Sequence, residues 1–153
     1  MNIEIVTIDK EIKVIGLSYQ KLGLPESLES LEQMWKIYGD KYRHKIKEAV
    51  IPLVDYGINN CLLTENHEYI AGCSVTEINV LEKDWVSFII PEGKYIKNVC
   101  NKIEDLFKDQ SSIKTWAEKN GIKINDNFII EAYPIGAFEG KDIEIYTLYP
   151  IQE

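Results

Sequence analysis

Asn127-Phe128-Ile129-Ile130-Glu131-Ala132-Tyr133 reads as a short strand with one carboxylate in its middle. Strand side chains alternate, so Phe128, Ile130 and Ala132 point one way and Ile129, Glu131 and Tyr133 the other. Glu131 therefore stands between an aliphatic and an aromatic residue on one face. Two readings are open. It is an ordinary acid on a solvated face, or it is an anion on the floor of an aromatic groove, where it would call for a cation.

Working outward, a loop containing Pro134, Gly136 and Gly140 leads to a last strand from Asp142 to Tyr149, stopped by Pro150. Upstream, Ile103, Phe107, Ile113, Trp116 and Ala117 form a helical stripe, kinked at Asp109-Gln110-Ser111-Ser112. Lys119 and Asn120-Gly121 give that helix its stop. Before it, strands over 85–90 and 94–100 flank the turn Pro91-Glu92-Gly93.

The first half has the same plan. Residues 3–8 and 12–19 are two strands or one bent ribbon, turned at Asp9-Lys10-Glu11. Gly23-Leu24-Pro25 opens a helix. Leu28, Leu31, Trp35, Tyr38, Tyr42, Ile46 and Ala49 recur on it at helical spacing, with a break expected near Gly39-Asp40. This aromatic stripe is read first as core, with part of it lining a pocket as the alternative. Strands follow over 57–63 and from Tyr69 to Ile78. Gly72 inside the latter marks a bulge or the close approach of another backbone.

Strand–helix–strand–strand thus occurs twice, in pseudo-repeats of about 1–82 and 83–153 that join near Glu82-Lys83-Asp84. The repeat is one of pattern, not of sequence. Either half buries too little surface alone, so the expectation is one domain over 1–153. Its class is α+β: antiparallel sheets, helices on one face and a central groove where the halves meet.

Composition narrows the function. The chain has 153 residues, 45% hydrophobic and 27% charged, with a net charge of −8. An ordinary globular chain of this sign lacks the dense basic patch that direct nucleic-acid binding needs. The run Lys41-Tyr42-Arg43-His44-Lys45-Ile46-Lys47 is read as a solvated helix face. No apolar run has the length of a membrane span and no signal-peptide pattern opens the chain, so a cytoplasmic setting is the default. Cys61, Cys73 and Cys100 form no paired motif and neither His44 nor His67 lies near them in sequence, so no metal or other cofactor is expected. Neither histidine is placed as a haem ligand. No phosphate-binding glycine loop and no nucleophile motif occurs.

Several short phrases, in order, carry a resemblance. Tyr56-Gly57-Ile58 with Tyr69-Ile70-Ala71-Gly72, then Phe88-Ile89-Ile90-Pro91-Glu92-Gly93-Lys94-Tyr95, Ile129-Ile130-Glu131-Ala132-Tyr133 and Asp142-Ile143-Glu144-Ile145-Tyr146 resemble the GyrI-like effector-binding domain family. That family is related to ligand-binding domains of AraC- and MerR-type transcription regulators, and its members stand alone or are fused to DNA-binding domains. The resemblance covers essentially the whole chain, which has no helix-turn-helix segment. It implies that Glu131 lies at the bottom of an aromatic pocket and pairs with lipophilic cations. By the same match Tyr95 and Tyr133 are wall residues, with Trp85, Trp116 and Tyr146 as further candidates.

Three functions follow as expectations. The first is binding of an aromatic or cationic small molecule, in drug sensing or sequestration. The second is hydrolysis of an electrophilic small molecule in the same groove, with Glu131 as general base and Glu144 as a possible second acid. The third is a protein partner, since the family's namesake restrains DNA gyrase and an acidic surface suits a basic partner.

Overall fold

A computed structural model describes residues 2–25, 27–61, 63–79, 81–100, 102, 105–106, 110–137 and 144–153. Among the described residues, eight strands and three helices follow in the order β1 (Asn2–Ile8), β2 (Ile12–Ser18), α1 (Tyr19–Leu22), α2 (Leu28–Ile37), β3 (Val54–Asn60), β4 (Glu68–Val75), β5 (Trp85–Ile90), β6 (Gly93–Cys100), α3 (Gln110–Lys119), β7 (Phe128–Pro134) and β8 (Ile145–Pro150). The fold is α+β. All strands join one open antiparallel sheet in the order β1-β6-β8-β7-β3-β4-β2-β5.

That order holds a duplication. Exchanging β1 with β5, β2 with β6, β3 with β7 and β4 with β8 gives the same list read backwards. The pseudo-twofold therefore falls between β3 and β7, the strand that carries Glu131. It also shows that β1 and β2 form no ribbon. β1 pairs with β6 and β5 with β2, so each half lends its first strand to the other. Only Asp9, Lys10 and Glu11 link β1 to β2, although five strands of the order lie between them. The sheet must coil steeply to bring its ends that close.

The two faces follow from the alternation in each strand. Val14, Tyr56, Ile58, Ile70, Tyr95, Phe128, Ile130, Ala132 and Leu148 pack together inside the coil. The other face carries the helices. Met34 of α2 packs with Leu17, Ala71 and Cys73, and Ile113 and Ala117 of α3 pack with Ile96 and Tyr149. One transverse row on this helical face decides the site. It reads Trp85, Leu17, Ala71, Gly57, Glu131, Thr147 and Asn98 across seven strands.

Local boundaries depart from the sequence reading where capping decides them. Ser18 ends β2 and caps α1, its hydroxyl accepting from the Lys21 amide at 3.4 Å, and Gly23 closes that turn at φ 69. The main helix then starts at Leu28, not at Pro25, because Ser27 Oγ accepts from the Ser30 amide at 3.1 Å. The expected break at Gly39 is a widened π turn over Tyr38–Tyr42, followed by a 3₁₀ turn over Arg43–Lys45. β3 begins earlier than expected and β4 ends earlier. Asn120-Gly121 stops α3 as anticipated, with Gly121 at φ 67 and the Ile122 amide donating back to the Ala117 carbonyl at 2.9 Å. Ile103, Phe107, Asp109, Gly140, Asp142 and Ile143 lie outside the described residues.

Candidate functional site

Glu131 is 1% exposed and sits on the helical face, opposite Gly57 on β3 and Thr147 on β8. Three donors hold it. Tyr69 Oη and Tyr133 Oη donate to Oε1 at 3.0 and 2.5 Å, and Asn59 Nδ2 donates to Oε2 at 3.0 Å. Behind them, Trp35 Nε1 donates to Tyr69 Oη at 3.0 Å, and a ring nitrogen of His67 lies 3.2 Å from Asn59 Oδ1. Gly57 makes the arrangement possible. A Cβ there would lie 2.4 Å from Tyr69 Oη and 2.8 Å from Glu131 Oε1.

A cavity of about 1000 Å³ opens above this carboxylate. Its sides are Leu31, Trp35 and Gly39 from α2 and the π turn, Asp55 and Tyr69 from β3 and β4, and Tyr133 to Gly136 at the end of β7. Trp35 stands edge-on to Tyr69 and Tyr133, with ring centroids 6.4 and 5.4 Å away. Leu28 and Ile135, 78% and 60% exposed, form apolar lips. Of the charged residues lining the cavity, four are acids (Glu32, Asp40, Asp55, Glu131) and two are bases (Lys36, Arg43), a formal balance of −2.

The two buried acids are treated differently. Asp55 is bracketed by Arg43, whose Nε donates to Oδ1 at 3.1 Å and whose Nη2 pairs with Oδ2, while Tyr38 Oη donates to Oδ1 at 3.1 Å. Glu131 has hydroxyl and amide donors, and among the described residues no Lys, Arg or His forms an ion pair with it. Burial pushes its carboxyl above the usual range, and the bonds from Tyr133, Tyr69 and Asn59 pull it only part of the way back. Burial and the neighbouring Glu131 charge raise Tyr69 and Tyr133, so both stay protonated donors.

Of the six residues singled out in the sequence, Glu131 and Tyr133 lie together at the cavity. Tyr95 and Tyr146 are on the other face of the sheet, packed inside the coil, because their strand positions have the opposite parity. Tyr95 Oη donates to the Pro91 carbonyl at 2.6 Å. Trp85 shares Glu131's face but lies on β5, four strands from β7, and packs edge-on to Tyr42. Trp116 packs on the α3 side with Ile96 and Tyr149. Glu144 is exposed ahead of β8 and is not among the cavity-lining residues.

Sequence reasoning did not pick Tyr69, Asn59, Gly57, Asp55 or Arg43. Register was the missing signal, since a strand's partner is not written in its own residues. Trp35 was within reach as the part of the aromatic stripe that lines a pocket. Arg43 leaves the solvated face expected of its basic run and turns in toward Asp55. Among the described residues, no three His, Cys, Asp or Glu side chains converge to hold a metal ion, and no helix is long and apolar enough to cross a membrane.

Residues 4–151 match the Cass2 family, described as integron-associated effector binding protein. Among solved structures, the EcmrR C-terminal domain superposes with a TM-score of 0.76 at 13% identity, over 99% of this chain and 98% of that one. The structure of SAV2435 bound to tetraphenylphosphonium gives 0.65 at 9% identity, over 99% and 94%. The integron cassette protein VCH_CASS2 from the mobile metagenome of Vibrio cholerae gives 0.59 at 15% identity, over 98% and 95%. At these identities the likeness is one of fold. No curated protein matches.

Proposed function

The chain belongs to the integron-associated effector-binding protein family, whose members take small-molecule effectors, and we propose that this one binds lipophilic organic cations in the cavity above Glu131. The observation that carries the reading is the contrast between the two buried acids. Asp55 has its own guanidinium, whereas Glu131 is buried against neutral donors and faces a cavity with apolar lips. A buried anion is costly to leave unpaired. A bulky cation restores the pairing, displaces poorly held water from apolar walls, and meets the faces and edges of Trp35, Tyr69 and Tyr133. Each ring contributes roughly 0.5–2 kcal/mol to a desolvated cation. SAV2435, a protein of this fold, has been seen with such a cation, tetraphenylphosphonium.

The test is titration of tetraphenylphosphonium into the wild type and Glu131→Gln, followed by tryptophan fluorescence. Trp35 lines the cavity and reports directly on filling. Equal affinity for the two proteins would remove Glu131 from the site.

The hydrolase reading gains less support. A general base needs a free lone pair aimed at water, and three of the four acceptor sites of the Glu131 carboxylate are already taken by side-chain donors, which leaves one on Oε2. The other acid facing the same cavity from a strand, Asp55, is tied to Arg43.

Gly57→Ala is a sharper check on the geometry. The added methyl meets the ends of Tyr69 and Glu131 side chains, not backbone, so β3 stays paired while the three-donor cradle is pushed apart. We expect about tenfold weaker binding of tetraphenylphosphonium and a stability loss of at most ~2 kcal/mol. Unchanged affinity by calorimetry, with a normal fold, would show that the cradle's spacing is irrelevant.

A further inference from the structure

Arg43 offers the cavity more than a counter-ion for Asp55. A guanidinium has five N–H donors in a fixed fork. Here Nε and Nη2 are both committed to Asp55, which holds the fork side-on. The guanidinium carbon also lies 5.1 Å from the centre of the Tyr38 ring, so the cation rests against that ring as well as being paired. The remaining nitrogen, Nη1, lies beside Gly39, where a Cβ would stand 3.5 Å from it. Gly39 and Arg43 both line the cavity. Glycine at this position therefore puts no side chain between Nη1 and the space that ends at Glu131.

We infer that the cavity takes a two-ended ligand: an organic cation whose charge sits over Glu131 and which carries a neutral hydrogen-bond acceptor, a carbonyl or ether oxygen, that meets Nη1 of Arg43. This rests on the cation-binding reading of Glu131 and adds a second point of recognition to it. The acceptor is neutral for an electrostatic reason. Asp55 cancels the guanidinium charge, and the lining as a whole is acidic, so a full anion is repelled while a dipole is not. The spacing follows from the sheet. Asp55 and Glu131 are diagonal neighbours across β3 and β7, with Asp55 opposite Tyr133 and Gly57 opposite Glu131. Such positions are about 7–8 Å apart, and Arg43 reaches Asp55 from the side of the π turn. A ligand with about 7 Å between its positive centre and its acceptor suits that spacing.

Two permanent cations that differ at one atom test this. (4-Benzoylbenzyl)trimethylammonium carries a ketone oxygen at a suitable reach, and (4-benzylbenzyl)trimethylammonium has a methylene in its place. Calorimetric titration of the wild type should favour the ketone by about tenfold, the worth of one hydrogen bond to a charged donor. Gly39→Leu covers Nη1 and leaves the Arg43–Asp55 pair intact. The double variant Arg43→Met with Asp55→Leu removes both partners together, which avoids stranding a buried charge. In both variants the preference, taken as the ratio of the two affinities measured on the same protein, should fall within about twofold. Equal affinities in the wild type, or a preference that survives both variants, overturns the inference. If binding then still depends on Glu131, as Glu131→Gln shows, the cation-binding reading stands without it. Binding of neither compound, or binding indifferent to Glu131→Gln, overturns both.

Discussion

Glu131→Gln should weaken tetraphenylphosphonium binding by about a hundredfold without loosening the fold. The magnitude comes from removing one partner of a desolvated charge pair, which costs about 2–5 kcal/mol where water is excluded. The fold survives because Gln keeps the shape. Tyr69 and Tyr133 both donate to Oε1, so the amide oxygen can serve both. The amide nitrogen then faces Asn59 Nδ2, a clash of donors that a flip of the Asn59 amide relieves.

Two pH effects of opposite use follow from the same burial. The Glu131 carboxyl titrates above its ordinary range in the folded protein. Its contribution to stability is then fully present below the unfolded value and is lost as pH rises through the folded one. Ligand affinity runs the other way. As pH falls through the raised folded value the carboxylate takes a proton, and a permanently charged cation loses its counter-charge. The wild type should therefore bind tetraphenylphosphonium more weakly in acid, while Glu131→Gln shows a flat profile. Melting curves of both proteins across the same range supply the stability half. A wild-type affinity independent of pH, with the cation still bound, would contradict a buried titrating acid.

How much of this was readable beforehand depends on what carried the information. The alternation of β7 put Glu131 between Ile129 and Tyr133 on one face but left a solvated acid and a pocket floor equally open, and only the resemblance pointed to the pocket. Gly72 was legible as a bulge or a close approach of another backbone, and the structure gives the second, opposite Gly16. The doubled plan was legible from element order. The exchange of first strands was not, because Asp9-Lys10-Glu11 reads as a hairpin turn and nothing local says that the strands on either side diverge. The same limit hid the cradle. Tyr69, Asn59 and Glu131 meet only through the β4-β3-β7 register, and Arg43 meets Asp55 only because the π turn rotates the chain after Gly39. Tyr95 and Tyr146 were placed with the site by resemblance, yet pleat parity puts them on the opposite face of the sheet.

The largest stability effect is expected at Gly72. Gly16 and Gly72 face each other in the β2–β4 register. A Cβ on Gly72 would lie 2.2 Å from the Ile15 carbonyl oxygen and 2.8 Å from Gly16 Cα, and one on Gly16 would lie 2.1 Å from the Ala71 carbonyl oxygen. No rotamer relieves a methyl that strikes backbone. β2 must move off β4, and it takes β5 with it, since among the described residues β5 pairs with β2 alone. The α2 core loses its floor at the same time, because Leu17, Ala71 and Cys73 belong to these strands. Gly72→Ala should therefore cost more than ~3 kcal/mol, about 10 °C in melting temperature for a chain of this length. Gly39→Ala is the control. Its Cβ finds nothing nearer than 3.5 Å, so the exchange should be neutral or stabilising. The contrast with Gly57→Ala separates fold from site. Methyls at 57 and 72 both intrude within 2.5 Å of another atom, but one meets side-chain ends and the other a main chain. The first should lower affinity more than stability, and the second the reverse. A Gly72→Ala protein melting within about 2 °C of the wild type would mean that β2 and β4 are not held together this closely. The steep coil that gathers α2, β3, β4 and β7 around Glu131 would then need another cause.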